Sequence, residues 1–264
     1  MQDLKVTLVQ SDLVWEDIPK NLDNFSRKLQ ILRGTTDLIV LPEMFSTGFA
    51  IQPEKVAETM DGQTLQWLKK TAADLNAVIT GSIIVKENEK YYNRLVWMRP
   101  DGSFETYDKR HLFRLGGEHL KFSGGNKYLV MELKGWKIRP LICYDLRFPV
   151  WSKNVYANGQ YKYDCLIYMA NWPSRRNFAW KSLLVARAIE NQAYLIGVNR
   201  IGNDNEGIPH SGDSVVLDFR GHALTRIPTD TEGIVTEELS YLQLTDFRTD
   251  FTVGLDWDRF SLEL

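Results

Sequence analysis

DCLIYMANWPSRRNFAWKSLLVARAIENQAYLIGV, residues 164–198, carries the alternation from which the fold is read. Cys165-Leu166-Ile167-Tyr168-Met169 is an apolar run of strand length that leads into Asn171-Trp172-Pro173. Trp180, Leu183, Leu184 and Ala188 then recur at helical spacing, which puts them on one face of a helix. A second apolar run, Ala193 to Val198, follows. The same alternation extends outward in both directions. Upstream, Arg139-Pro140-Leu141-Ile142 leads into Cys143, and downstream Ser214 to Asp218 ends at a turn, Arg220-Gly221.

The first half has a similar layout. Leu4 to Val9 reads as a strand with Val6 and Leu8 on one face and Lys5 and Thr7 on the other. Leu22, Phe25, Leu29 and Leu32 form one helical stripe, and Leu65, Leu68, Ala72 and Leu75 form another. Between them, Asp37-Leu38-Ile39-Val40-Leu41 runs into Pro42-Glu43, as a buried strand does on reaching its rim. Ala77 to Val85 and Tyr91 to Met98 read as strands, with a turn at Pro100-Asp101-Gly102. Phe104 to Tyr107 reads as a further strand, and Lys109 to Gly125 as a long loop. Repeated strand–helix alternation predicts an α/β fold with helices covering sheet faces. Reactive groups in such sheets sit just beyond strand ends, where Glu43 and Cys143 both fall.

No linker, low-complexity tract or break in composition divides the 264 residues, so a single domain over 1–264 is expected. A formal net charge of -2 argues against a nucleic-acid surface. No apolar run reaches the length of a membrane span, and Met1-Gln2-Asp3-Leu4-Lys5 lacks the profile of a secretory leader. With only two cysteines, Cys143 and Cys165, a disulfide scaffold is not expected; free thiols and a cytoplasmic location are. His111, His119, His210 and His222 show no metal-binding spacing, and no phosphate-binding glycine loop is present. Neither a metal nor a cofactor is therefore expected.

A thiol attacks a carbonyl as thiolate, so a nucleophilic cysteine needs a base or a nearby cation. Cys143 ends an apolar strand and is followed by Tyr144-Asp145-Leu146-Arg147, which would expose its sulfur beside free backbone N–H groups. Core packing is the alternative for Cys143, and it is the expectation for Cys165 inside its apolar run. Glu43, partly desolvated after Pro42, could serve as a base or sit in a rim salt bridge. Lys109, in Tyr107-Asp108-Lys109-Arg110-His111, could equally belong to a solvated loop.

Together, Leu41-Pro42-Glu43-Met44-Phe45, Tyr107 to Phe113 and Leu141 to Pro149 resemble, in order, the three signature motifs of the nitrilase superfamily. Asn177 to Asn191 resembles its characteristic helix, and His210-Ser211-Gly212-Asp213-Ser214 a segment before a late strand. The resemblance implies an α-β-β-α sandwich with a Glu-Lys-Cys triad. On this sequence Glu43 would accept the Cys143 proton, while Lys109 and the Tyr144 backbone N–H would hold the oxyanion of a thioester-forming reaction. Glu118 matches a second glutamate beside the lysine, and His111 would make a structural hydrogen bond. The motifs look most like the omega-amidase branch, which implies short dicarboxylate monoamides such as 2-oxoglutaramate as small-molecule substrates. Arg147, Arg175 and Arg176 are then candidates to clamp the far carboxylate. The resemblance also implies a homodimer or larger homo-oligomer. The competing readings are hydrolysis of a nitrile, aliphatic amide or N-carbamoyl group, acyl transfer, a noncatalytic scaffold, or redox pairing of Cys143 with Cys165. The segment Phe247 to Leu264 is expected to pack on the sheet or reach a partner subunit.

Overall fold

The computed structural model describes residues 2–262. The first half carries β1 (Leu4–Gln10), α1 (Ile18–Leu29), β2 (Leu38–Val40), α2 (Gln63–Leu75), β3 (Val78–Glu87), β4 (Lys90–Met98), β5 (Phe104–Asp108) and α3 (Glu118–Lys121). Next come β6 (Met131–Leu133), β7 (Trp136–Ile142), α4 (Pro149–Ser152), β8 (Tyr156–Ala157), β9 (Gln160–Tyr161), β10 (Cys165–Ala170) and α5 (Asn177–Asn191). β11 (Tyr194–Asn199), β12 (Ile201–Asn203), β13 (Pro209–Ser211), β14 (Val215–Leu217), β15 (Ala223–Arg226), β16 (Gly233–Leu239) and α6 (Tyr241–Asp250) complete the order.

Two six-stranded mixed sheets result, in the orders β16-β1-β2-β3-β4-β5 and β15-β14-β11-β10-β7-β6. β1, β2 and β3 run parallel, as do β7, β10 and β11, while the flanking strands are antiparallel. The last strand, β16, returns from the second half to pair with β1, with Leu4 opposite Leu239 and Gln10 opposite Gly233.

Side-chain alternation assigns the layers. Leu4, Val6 and Leu8 of β1 and Leu38 and Val40 of β2 share a core with Trp136 and Ile138 of the second sheet. Val9 and Ile39 point the other way, into a core with Phe25 and Leu29 of α1 and Leu68 and Ala72 of α2. On the far side, Trp180, Leu184 and Ala188 of α5 cover the second sheet. Gly197 is needed there, because a Cβ would lie 2.7 Å from Leu184 Cδ1. The layers are thus helix, sheet, sheet, helix. Each fully buried large apolar side chain contributes roughly 1.5–3 kcal/mol through removal from water.

Local signals set the helix ends. Asp17 caps α1 by accepting the Lys20 N–H at 3.0 Å, while Asn76 and Gln192 end α2 and α5 in the left-handed conformation. One expectation needs correction. The span from Lys109 to Gly125 is not a structureless loop, because Gly117 at φ +75° turns the chain into α3 and buries Glu118. The C-terminal segment packs in part. Phe247 stacks on Phe219 at 4.6 Å and Trp257 meets Tyr161 edge-on, while Phe251 and Phe260 stay exposed. Residues 263–264 of that segment lie outside the described residues.

Candidate active site

Glu43, Lys109, Cys143 and Asn171 follow directly, or within three residues, the carboxyl ends of β2, β5, β7 and β10. The strand ends therefore bring together groups drawn from both sheets. Glu43, Lys109 and Glu118 are wholly buried, and Lys109 Nζ donates to Glu43 Oε1 at 2.8 Å and to Glu118 Oε2 at 2.9 Å. Glu43 Oε2 accepts the Asn171 N–H at 2.8 Å, and the Asn171 side-chain amide donates to the Glu43 carbonyl. Glu118 also accepts the Phe113 N–H at 2.6 Å.

Two side chains here occupy backbone conformations that L-residues rarely adopt: Met44 at φ +43° and Cys143 at φ +42°. Met44 is held by Ser82, whose hydroxyl accepts its N–H at 2.9 Å. The Cys143 turn is held by Asp145. That buried carboxylate accepts the Ile142 N–H (3.1 Å), the Tyr107 hydroxyl (2.8 Å) and the His111 N–H (3.1 Å), and meets His111 Nδ1 at 2.7 Å. One carboxylate thus ties the cysteine turn to the lysine segment. His111 makes the hydrogen bond expected of it and stacks on Phe148 with centroids 3.8 Å apart.

The electrostatics follow from burial around one cation. Burial pulls the Lys109 ammonium down, but Glu118, Glu43 and Cys143 outweigh it, so Lys109 stays charged. Burial raises Glu118, with Lys109 opposing and Glu43 adding to the rise. Burial and then Glu43 push the Cys143 thiol well up, with Lys109 opposing. At rest the sulfur is a neutral thiol beside a carboxylate, which suits proton transfer during attack rather than a standing thiolate. The Tyr144 N–H lies in the first turn of the 3-10 segment Cys143–Arg147, where such groups lack an intrahelical acceptor. Cys165 lies wholly buried inside β10, and both thiols are free.

Lys109, Cys143 and Asn171 line a cavity of about 600 Å³, walled by Trp15, Phe49, Phe113 and Trp172. Arg147, Arg175 and Arg176 also line it. Arg147 lies over Trp172 at 4.9 Å and Arg176 over Phe113 at 5.0 Å, while Arg175 is exposed. Arg94, Arg187, Arg200 and Arg248 pair with carboxylates; among the described residues these three do not. Burial, then Arg175, lowers the Arg176 guanidinium, and Arg147 adds to that, whereas Cys143 raises it. Glu16, Asp204 and Glu206 also line the cavity, and burial pulls His210 there down to about 4.

Sequence reading missed Asn93, Asp145 and Asn171 as site-forming groups. Asp145 and Asn171 stand inside or beside the quoted motifs, so proximity was a usable signal. Asn93, within a strand and distant in sequence from every motif, gave none.

The profile of the carbon-nitrogen hydrolase family matches residues 5–249. Omega-amidase YafV of Escherichia coli (strain K12) is 42% identical over 262 residues, covering 99% of this chain and 100% of that protein. The 2-oxoglutaramate amidase of Bacillus subtilis (strain 168) is 34% identical over 253 residues, covering 94% and 95%. The crystal structure of XC1258 from Xanthomonas campestris is of a CN-hydrolase superfamily protein with an arsenic adduct in its active site. It matches with a TM-score of 0.98 at 44% identity over 100% of both chains.

Proposed function

The chain belongs to the carbon-nitrogen hydrolase family, and we propose that it is an omega-amidase acting through Cys143, Glu43 and Lys109. The substrates are short dicarboxylate monoamides of the 2-oxoglutaramate and 2-oxosuccinamate kind. The single observation that carries this reading is a cavity that combines a buried thiol–carboxylate–ammonium cluster with three guanidinium groups lacking a carboxylate partner.

Cys143 Sγ attacks the amide carbonyl as its proton passes to Glu43. Lys109 Nζ and the Tyr144 N–H hold the oxygen that becomes negative, and Glu118 fixes Lys109. Collapse expels ammonia, which takes the proton from Glu43 and leaves a thioester. Water then gives its proton to Glu43 and attacks the thioester, and the acid departs as the thiol re-forms. The far carboxylate lies among the arginines, where it relieves their mutual repulsion. Arg176 is the favoured clamp, because it lies over Phe113 in the cavity wall and is less exposed than Arg175.

Ammonia release from 2-oxoglutaramate, succinamate, an aliphatic amide, a nitrile and an N-carbamoyl amino acid tests the assignment. Turnover confined to the dicarboxylate monoamides is the expected result; preference for any other compound moves the substrate class. Within that panel, Arg176→Gln should raise KM for the acidic amides about tenfold or more while leaving the neutral amide unchanged. Equal effects on acidic and neutral amides would remove Arg176 from carboxylate binding.

We further propose that the single catalytic domain works in the cytoplasm as a homodimer. Its support is the outer face of α5, where Phe178 and Ile189 are exposed beside half-buried Val185 and Ala186. No helix among the described residues is long and apolar enough to cross a membrane. Sedimentation equilibrium should give twice the chain mass, and Phe178→Glu should halve it. A monomeric wild type would end the dimer proposal.

A further inference from the structure

A net negative cluster lies buried behind the cavity: two carboxylates, Glu43 and Glu118, share one ammonium, Lys109. Such an arrangement is unstable without further donors, because each carboxylate is desolvated and the two repel each other. Beside the Asn171 and Phe113 N–H groups, the further donors come from Asn93, which is wholly buried on β4. Its Nδ2 donates to Glu43 Oε1 at 2.8 Å and to Glu118 Oε1 at 3.1 Å. Lys109 Nζ donates to the same two oxygens, at 2.8 and 3.1 Å. The four groups close a ring in which carboxylate oxygens alternate with nitrogen donors. The Asn93 backbone joins in as well, because its carbonyl accepts the Lys109 N–H at 2.9 Å.

We propose that Asn93 is a positioning residue, whose amide holds both glutamates in place and apart so that Glu43 can serve as the base and Lys109 stays aimed at the substrate oxygen. The role rests on the amide-hydrolysis reading, and it gives Asn93 a function that strand packing alone does not require. An amide suits the position because it supplies two N–H donors and no charge. Turning the amide over would set its oxygen against two carboxylates, so only one orientation is tolerated. A second lysine would neutralise the cluster and loosen the hold of either glutamate on Lys109.

The ring's own titratable groups are Lys109 beyond β5, Glu118 on α3 and Glu43 beyond β2, and the Cys143 thiol beyond β7 lies next to them. Asp145 of the cysteine turn and His111 of the lysine segment pair with each other. Arg94, the next residue along β4, is occupied by Asp108 and Glu87. Removing the donors from a carboxylate raises its pKa, so the acid limb of any rate that needs ionised Glu43 moves to higher pH.

The test compares wild type, Asn93→Ala and Asn93→Ser through three readouts. These are the pH profile of amide turnover, the pH profile of Cys143 alkylation by iodoacetamide, and the melting temperature. In Asn93→Ala, kcat should fall about tenfold or more while KM moves by less than about threefold. The acid limbs of both profiles should rise by about half a unit or more, and Asn93→Ser, which keeps one hydroxyl donor, should lie between. If Asn93→Ala fails to fold, the shift in Asn93→Ser decides. Acid limbs that stay in place while only the melting temperature drops would overturn the proposal. Alkylation does not use the amide. A wild type that alkylates but hydrolyses no dicarboxylate monoamide would therefore sink the omega-amidase reading alone, and the alkylation profile would still decide the role of Asn93.

Discussion

Cys143→Ala is expected to lower ammonia release from the preferred amide by roughly four to six orders of magnitude, with substrate affinity kept within a few-fold. Removing a covalent nucleophile has effects of about this size in hydrolases that work as a coupled unit. No other thiol can replace it, because Cys165 lies wholly buried within β10. The fold should tolerate the change. The side chain is small and borders the cavity, and alanine meets the same positive φ that cysteine already accepts. Acid-quenched wild type mixed with substrate should carry the mass of an acyl group at Cys143, and the variant should carry none. Calorimetric binding of the amide to the variant separates lost chemistry from lost binding. A variant that keeps more than about a hundredth of the activity would exclude the thioester route.

What could be read in advance depended on whether a signal was local. The run Cys165 to Met169 and the stripe Trp180, Leu184, Ala188 predicted strand and helix because each pattern reports its own burial. The return of β16 to pair with β1 left no such trace. Leu4 and Leu239 are adjacent only after the whole chain has folded. The site divides along the same line. Glu43, Lys109 and Cys143 stood out because each lies in a recognisable motif at or near a strand end. Asn93 bonds across the molecule to residues 50 and 25 positions away in sequence. An asparagine within a strand has no local signature for holding two distant carboxylates. The span Lys109 to Gly125 reads as loop because it lacks apolar periodicity, and α3 within it is four residues long. That short helix is held by tertiary bonds: Glu118 reaches Lys109 and accepts the Phe113 N–H.

The strain at Cys143 and the charge around Lys109 belong to one design problem. A left-handed cysteine at φ +42° costs on the order of 1 kcal/mol or more, and it persists because Asp145 fixes the turn from both sides. The cysteine is thereby held in the cavity wall, where the proposed reaction needs it. The raised thiol and the raised Glu118 share a physical origin, desolvation around a single cation. Activity and stability therefore bear on the same few atoms, and the residue that links them most directly is the lysine.

Lys109→Met should be the most damaging single change to activity and stability together. It removes the proposed oxyanion donor, a loss that costs about a hundredfold to a thousandfold in rate. It also leaves Glu43 and Glu118 buried without their cation, which costs roughly 3–5 kcal/mol of stability. The two losses can be separated. Adding Glu118→Gln removes one of the stranded charges, so Lys109→Met/Glu118→Gln should regain part of the stability while its rate stays low. The pH dependence has a definite sign. Without Lys109, burial and repulsion from Glu43 hold the folded-state Glu118 carboxyl further above its unfolded value, the direction it already takes in the wild type. A raised group favours the folded state below its unfolded pKa and loses that contribution as pH rises through the folded value. The stability deficit of Lys109→Met should therefore shrink on acidification and widen toward neutrality. Denaturant unfolding of wild type, single and double variants across that range reads it directly. A deficit that does not change with pH would mean that lost packing of the lysine chain, and not uncompensated charge, is what destabilises the variant.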